Sequence, residues 1–219
     1  MAVPDDASPD AAPDAPLRPR SPAPSKGEVT RRAILDAAIL RFGRDGYRAT
    51  SVATIARDAG VGGTVAYAYF PNKEALFLAA VDHDAAGVID EGVSHVLDDI
   101  ESDDWRGTLI FTLVDAVDHH PLARRLLAGL EPEVTARVME IPALHELRKA
   151  CAERLRTEQA TGTVRPDIDA VSVANGIVSI CLSLLMSVVQ LGSAATSVYA
   201  EDVSAVFAAA LDPPARGAT

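Results

Sequence analysis

Only two cysteines occur in the 219 residues, Cys151 and Cys181, and they lie thirty positions apart with no CxxC pair. A disulfide scaffold and a cysteine zinc site are both disfavoured on that count. Aromatic side chains make up 5% of the chain, which argues against a large planar cation held in an aromatic cage. No alternating apolar–polar run is long enough for a strand. Alanine is abundant, so the composition favours helices. A nucleophile elbow, a P-loop and a GxGxxG are absent, as are HExxH and a repeated ExxH pair. The N-terminus carries no basic start followed by an apolar run, so no secretory leader is read and the expected compartment is the cytoplasm. Apolar residues amount to 48%, enough for a substantial core.

The net charge of −11 is unevenly spread. Residues 1–25 carry two Arg and four Asp, net −2; residues 26–75 carry eight basic and five acidic side chains, net +3; the remainder is net −12. The whole is too acidic for a charge-driven nucleic-acid coat, yet it contains a locally basic module.

Residues 1–25 have seven prolines and almost no large apolar side chain, the pattern of a disordered tail. Arg18, Arg20 and Lys26 stand near the first helix and either reach phosphates or belong to a solubilising leader. From Gly27 onward the pattern is helical. Ile34, Leu35, Ala38 and Phe42 mark one face, and Gly43 and Gly46 close that helix. Thr50-Ser51 signals a cap, with Val52, Ile55, Ala56 and Ala59 following at helical spacing. Gly60 breaks the chain, a short helix runs from about Gly63 to Tyr69, and Pro71-Asn72 caps a long helix to about Leu97. An acidic turn follows at Asp98–Asp104, then helices over Trp105–His119, Leu122–Leu130, from Pro132, and over Leu144–Gln159, with Pro142 kinking or breaking the chain before the last of these. A long apolar helix spans Ile168–Leu191 and a final one Val198–Leu211.

Two short helices joined by a glycine turn form a helix-turn-helix, whose second helix enters a major groove. Arg31, Arg32, Arg41, Arg44, Arg48 and Arg57 surround it and suit phosphates. The stretches RRAILDAAILRF (31–42), GYRATSVATIARDAGV (46–61) and YAYFPNKEALF (67–77) resemble the N-terminal domain of TetR-family transcriptional regulators. The likeness implies that Thr50 or Ser51 caps the second helix and sets a hydroxyl on a phosphate, with Arg48 beside them among the DNA contacts. It also implies that Tyr67 reaches the DNA from the recognition helix, that Lys73 holds a phosphate and that Phe70 is structural. Tyr67 and Tyr69 cannot both face the groove, and Tyr67 is read as outward.

The recognition helix departs from the family pattern. Gly62, Val65 and Ala66 stand where Ser, Thr and Leu are usual, and no Arg, Lys, Asn or Gln is available to read a base. Thr64 and Ala68 are expected to read thymine methyls with help from groove shape, while Gly62 and Gly63 let the backbone approach closely.

Residues 170–200 contain no charge, which invites a membrane-span reading. A small stripe (Ser172, Gly176, Ser179, Ser183, Ser187), the polar Asn175 and Gln190, and the lack of basic anchors favour a dimer helix instead. The expected interface comprises Ser172, Gly176, Ile180, Ser183, Leu184, Ser187 and Val206. Family likeness implies a divergent C-terminal domain that binds a small ligand and dimerises through its last two long helices. Candidate pocket residues are Trp105, Phe111, Leu113, Leu126, Met139, Leu144, His145, Cys151 and Met186, for a hydrophobic or amphipathic effector.

The sequence thus predicts an all-α chain in three parts: a tail (1–25), a three-helix helix-turn-helix domain (26–71) and a helical ligand-binding and dimerisation domain (72–219). The expected function is a non-enzymatic, ligand-responsive repressor of a palindromic double-stranded DNA operator, homodimeric, with no cofactor, metal or membrane. Two alternatives stand beside it. One is a helical metal-dependent enzyme, on the strength of Asp82-His83-Asp84 and Asp118-His119-His120; the other is a helix-turn-helix adaptor that binds only protein. For His119-His120 before Pro121, capping of the preceding helix is the simpler expectation.

Overall fold

The structure, a computed structural model, describes residues 25–93, 96, 105–135, 140–192, 202–203 and 205–213. Residues 1–24 of the expected tail, the acidic turn at Asp98–Asp104, Met139 and the start of the expected last helix lie outside the described residues. Every regular element among the described residues is helical: α1 (Lys26–Ala49), α2 (Val52–Asp58), α3 (Gly63–Tyr69), α4 (Lys73–Val93), α5 (Trp105–His119), α6 (Pro121–Leu127), α7 (Pro132–Thr135), α8 (Pro142–Thr161) and α9 (Ala170–Leu191). Residues 205–211 are helical as well.

Local chemistry explains most boundaries. Ser25 and Glu28 close a reciprocal capping box at the start of α1. Gly43 does not end α1; the helix runs through it and breaks at Gly46, where φ is 82°. Ser51 caps α2 by accepting the Thr54 N–H at 3.1 Å, and Asn72 caps α4 by accepting the Ala75 N–H at 2.8 Å. Pro121 and Pro142 open α6 and α8, where a missing N–H costs nothing, so of the two expectations for Pro142 the break holds and a new helix starts there. Gly162 ends α8 in the left-handed conformation (φ 82°).

Two hydrophobic cores result. The first gathers Ile34 and Phe42 of α1, Ile55 of α2, Ala66 of α3 and Leu76 and Phe77 of α4, and it also takes in Leu122 and Leu126 of α6 and Ile141. The second gathers Trp105, Leu109 and Leu113 of α5, Leu147, Cys151 and Leu155 of α8, and Ile177, Val178 and Cys181 of α9, closed by Phe207 and Leu211. α4 serves both cores, its first half in one and Val88 in the other. The sequence boundary drawn at 71/72 therefore falls just ahead of a helix that the two units share.

α9 is long and apolar enough to cross a membrane by length and composition alone. Its inner side packs Ala174, Ile177, Val178, Cys181 and Leu185 into the second core. On its outer side Ser172, Asn175, Gly176, Ser179 and Ser183 are exposed.

Candidate nucleic-acid interface and ligand cavity

α3 is a seven-residue helix laid on the first core by one small side chain. Ala66 is fully buried, which brings the helix axis close to α1, and Phe70 is buried at its end. Arg31 of α1 stacks over the Phe70 ring at 5.2 Å. The opposite side of α3 is open. Tyr67 is 52% exposed, and Gly62, Gly63, Thr64 and Ala68 are exposed beside it. Tyr69 leans inward: a Cβ at Gly27, in the first turn of α1, would lie 3.6 Å from its hydroxyl. At Gly63 no atom lies within 4 Å of where a Cβ would stand.

The flanking cations are unevenly available. Arg41 is tied to Asp45 and Asp58, and Arg44 to Asp45. The Arg44 and Arg41 guanidiniums hold the Asp45 carboxyl well below the usual carboxylate range, so the cluster is a charge-neutral strut. Arg48 pairs with Glu133 at 2.6 Å on an open surface, where solvent screening makes the pair easy to break. Lys73, the first residue of α4, sets its ammonium 4.4 Å from the Tyr47 ring and donates to the Arg48 carbonyl at 3.4 Å.

Thr50 and Ser51 are not equivalent. Ser51 is exposed and caps α2, whereas Thr50 is 4% exposed and donates its hydroxyl to the Gly46 carbonyl at 2.8 Å. The expectation of a Thr50 hydroxyl on a phosphate is corrected: the turn at Gly46 aims that carbonyl inward and uses the hydroxyl.

Behind this face a partly open apolar hollow of about 60 Å³ lies between the helices, lined by residues of both cores. Its wall is built by Ala85, Val88 and Ile89 of α4, Leu113 of α5, Ala123, Leu126 and Leu127 of α6, Ile141, Leu144 and Leu147 at the start of α8, and Val178, Cys181, Leu182 and Leu185 of α9. Burial pushes the Cys181 thiol up to about 12, so it stays protonated. Of the candidate pocket residues, Leu113, Leu126 and Leu144 line this cavity. Trp105 instead fills the core and donates its indole N–H to Glu158 at 2.7 Å, and Cys151 is buried core. Phe111 is 67% exposed, His145 faces an outer groove between α8 and α9, and Met186 is half-buried against the core.

Three carboxylates make contacts that local sequence pattern does not show. Asp84 of α4 accepts the backbone N–H groups of Leu122 and Ala123 at 3.0 and 2.8 Å, and His120 Nδ1 at 2.8 Å. It caps α6 from another helix. Glu91 takes His119 Nδ1 at 2.7 Å and His120 Nε2 at 3.3 Å. His119 and His120 thus pair with α4 carboxylates, which corrects the expected capping of α5. Glu131 accepts Arg125 and the Tyr47 N–H. No group of His, Cys, Asp and Glu suited to a metal ion occurs among the described residues. Asp84 lies 36 to 39 positions from its partners and Glu131 lies 84 from Tyr47, too far for a local sequence pattern to connect them.

A short exposed helix held on a helical core, with cations on its flanks, has the form of a helix-turn-helix DNA-binding unit. Residues 34–80 match the model of the bacterial regulatory proteins of the tetR family, so this stretch resembles that family's DNA-binding domain. The chain is similar to the HTH-type transcriptional regulator BetI of Brucella anthropi, 43% identical over 55 residues. That alignment spans 25% of this chain and 28% of the relative, so it speaks for the DNA-binding unit. The fold extends further. A TetR-family transcriptional regulator from Cytophaga hutchinsonii superposes with a TM-score of 0.66 at 17% identity, over 88% of this chain and 100% of that one. The fatty acid degradation regulator FadR from Bacillus halodurans gives 0.63 at 18%, over 85% and 96%.

Proposed function

We propose that this chain is a cytoplasmic, homodimeric repressor that a small molecule releases from a palindromic DNA operator, and that it performs no catalysis and holds no cofactor. The observation that carries the reading is α4. One unbroken helix places Lys73 beside the end of α1 and, three to four turns later, lines the cavity with Ala85, Val88 and Ile89. DNA contact is assigned to Arg48, Ser51, Gly62, Gly63, Thr64, Tyr67, Ala68 and Lys73. Each is exposed or half-exposed on the α3 side. Without a long polar side chain on α3, Thr64 and Ala68 offer methyl groups to thymine and groove shape supplies the rest.

The second copy is assigned to the outer side of α9. Ser179, Ser183 and Ser187 each donate their hydroxyl to the carbonyl four residues earlier, at 2.8, 2.9 and 2.9 Å. With those donors satisfied inside the helix, the stripe behaves as a small apolar surface that two helices approach closely. Ser172, Gly176, Ile180, Leu184 and Val206 extend it. The Ser183→Arg variant is expected to sediment as a monomer at concentrations where the parent sediments as a dimer.

Mechanistically, two recognition helices occupy successive major grooves. An effector in the cavity favours a conformation in which α4 and α6 are displaced, and the recognition helices no longer match the operator spacing. The test is selection of bound sequences from random duplex DNA by the full-length protein, followed by gel-shift titration at several salt concentrations. One short palindrome with steep salt dependence is expected. Binding without sequence preference overturns the reading.

A further inference from the structure

We infer that the effector is a small, uncharged, apolar molecule without a group that demands a hydrogen bond, and that it acts as a wedge because the cavity is smaller than the guest. This deepens the reading of the cavity as the effector site and rests on it. Three observations lead here.

The first is the chemistry of the wall. Every lining side chain is apolar, and the Cys181 sulfur is the one heteroatom among them. The second is that two polar groups bordering the wall are engaged elsewhere. The Asp84 carboxylate, next in sequence to the wall residue Ala85, holds His120 and two N–H groups of α6. Gln190 of α9 donates to the Leu127 carbonyl at 2.8 Å. An ionised guest would give up its hydration and meet no partner among the wall side chains, whereas an apolar guest leaves no hydrogen bond unmade.

The third is size. The hollow measures about 60 Å³. A dry cavity that accepts benzene is on the order of 150 Å³. A six-carbon ring therefore enters only if a wall moves. The α8 and α9 walls are backed by the second core, through Cys151 and Ile177. The α6 wall is shared between the cores: Ala123 and Leu127 belong to the second, whereas Leu126, with Leu122 beside it, belongs to that of the DNA-binding unit, against which Ala85 of α4 also packs. Expansion toward α6 is expansion into the joint between the units. The same molecule that fills the hollow thus strains the contact that positions α3.

The test uses the full-length protein and the DNA it selects. The probes are toluene and cyclohexane, set against benzoate and cyclohexylammonium as charged counterparts of similar size. The neutral probes are expected to raise the thermal midpoint of the free protein by a few degrees and to weaken DNA binding at least tenfold. The charged ones, at equal concentration, leave both unchanged. Cys181→Leu, which narrows the hollow, is expected to weaken toluene binding at least tenfold. If that variant does not fold, Leu144→Ala enlarges the hollow instead and shifts preference from toluene to naphthalene. Benzoate or cyclohexylammonium binding as tightly as toluene overturns the chemical class. Toluene that binds without weakening DNA binding overturns the wedge and leaves the DNA-binding reading standing. Absence of binding by both neutral probes overturns the cavity as a site for apolar guests, whatever the DNA result.

Discussion

The backbone N–H of Tyr47 donates to Glu131 Oε1 at 3.0 Å, and the same oxygen accepts Arg125 Nε at 2.8 Å. One carboxylate thereby fastens the end of α1 to the chain leaving α6. The fit is close: a Cβ at Gly46 would lie 2.8 Å from that oxygen. Glu131→Ala removes the shared acceptor and strands a partly buried guanidinium. A loss of roughly 1–3 kcal/mol in urea unfolding is expected.

Two glycines should respond in opposite ways to the same change. A Cβ at Gly43 would stand 2.8 Å from the Pro121 backbone, which cannot swing aside. Gly43→Ala is expected to cost about 1–3 kcal/mol. Gly63→Ala meets open space. It is expected to stabilise the fold by up to about 1 kcal/mol, since alanine is the better helix residue. It should also weaken operator binding at least tenfold, if the backbone must approach the DNA there. Thermal denaturation and gel shifts on both variants check the pair.

Tyr67→Ala is expected to leave stability within about 0.5 kcal/mol, because the side chain is half exposed and belongs to neither core, and to weaken specific binding at least tenfold. Thr50→Val tests the opposite case. It removes a buried hydroxyl from the Gly46 carbonyl, so a stability loss of roughly 1–2 kcal/mol is expected with no change in the salt dependence of DNA binding. A shallower salt slope for Thr50→Val would return that residue to the DNA-contacting set.

The hydrogen bond to Glu91, with its charge, raises the His119 pKa above the ordinary 6.5, and the same bond lowers that of Glu91 below 4.5. A histidine raised in the folded state stabilises fully below its unfolded value and loses that contribution as pH rises through the folded value. Glu91 contributes above its unfolded value and loses it as pH falls. The pair is therefore most favourable between 4.5 and 6.5. The thermal midpoint should decline as pH rises past 6.5, and His119→Gln should flatten that decline. A parent profile already flat from pH 6 to 8, roughly the range in which histidine titrates, would show that the pair contributes nothing.

Much of this was readable before any coordinates. Ser51, Asn72, Gly162 and the helix-opening prolines mark boundaries because capping is local, decided by three or four neighbouring residues. The inward Ala66 and outward Tyr67 follow from helical period alone. Thr50 escaped because two hydroxyl residues in a row look equally suited to a cap, and only the positive φ at Gly46 separates them. The cavity was legible in part. Leu113 and Phe111 lie two apart on one apolar helix, and periodicity does not say which side meets α9. The role of Asp84 was not legible at all. Beside Asp82 and His83 it resembles a metal ligand, whereas its partners are the first amides of a helix nearly forty residues away.

Those Asp84 contacts bear on the shape of the response. Two amides and an imidazole converge on one carboxylate, so α6 cannot drift from α4 by losing them one at a time. Each bond holds the geometry of the others, and a displacement that breaks one leaves the rest misaligned. The joint is in effect a latch without a half-open position. Under the proposed reading, each chain is either latched or released, and a graded output reflects the fraction of chains released.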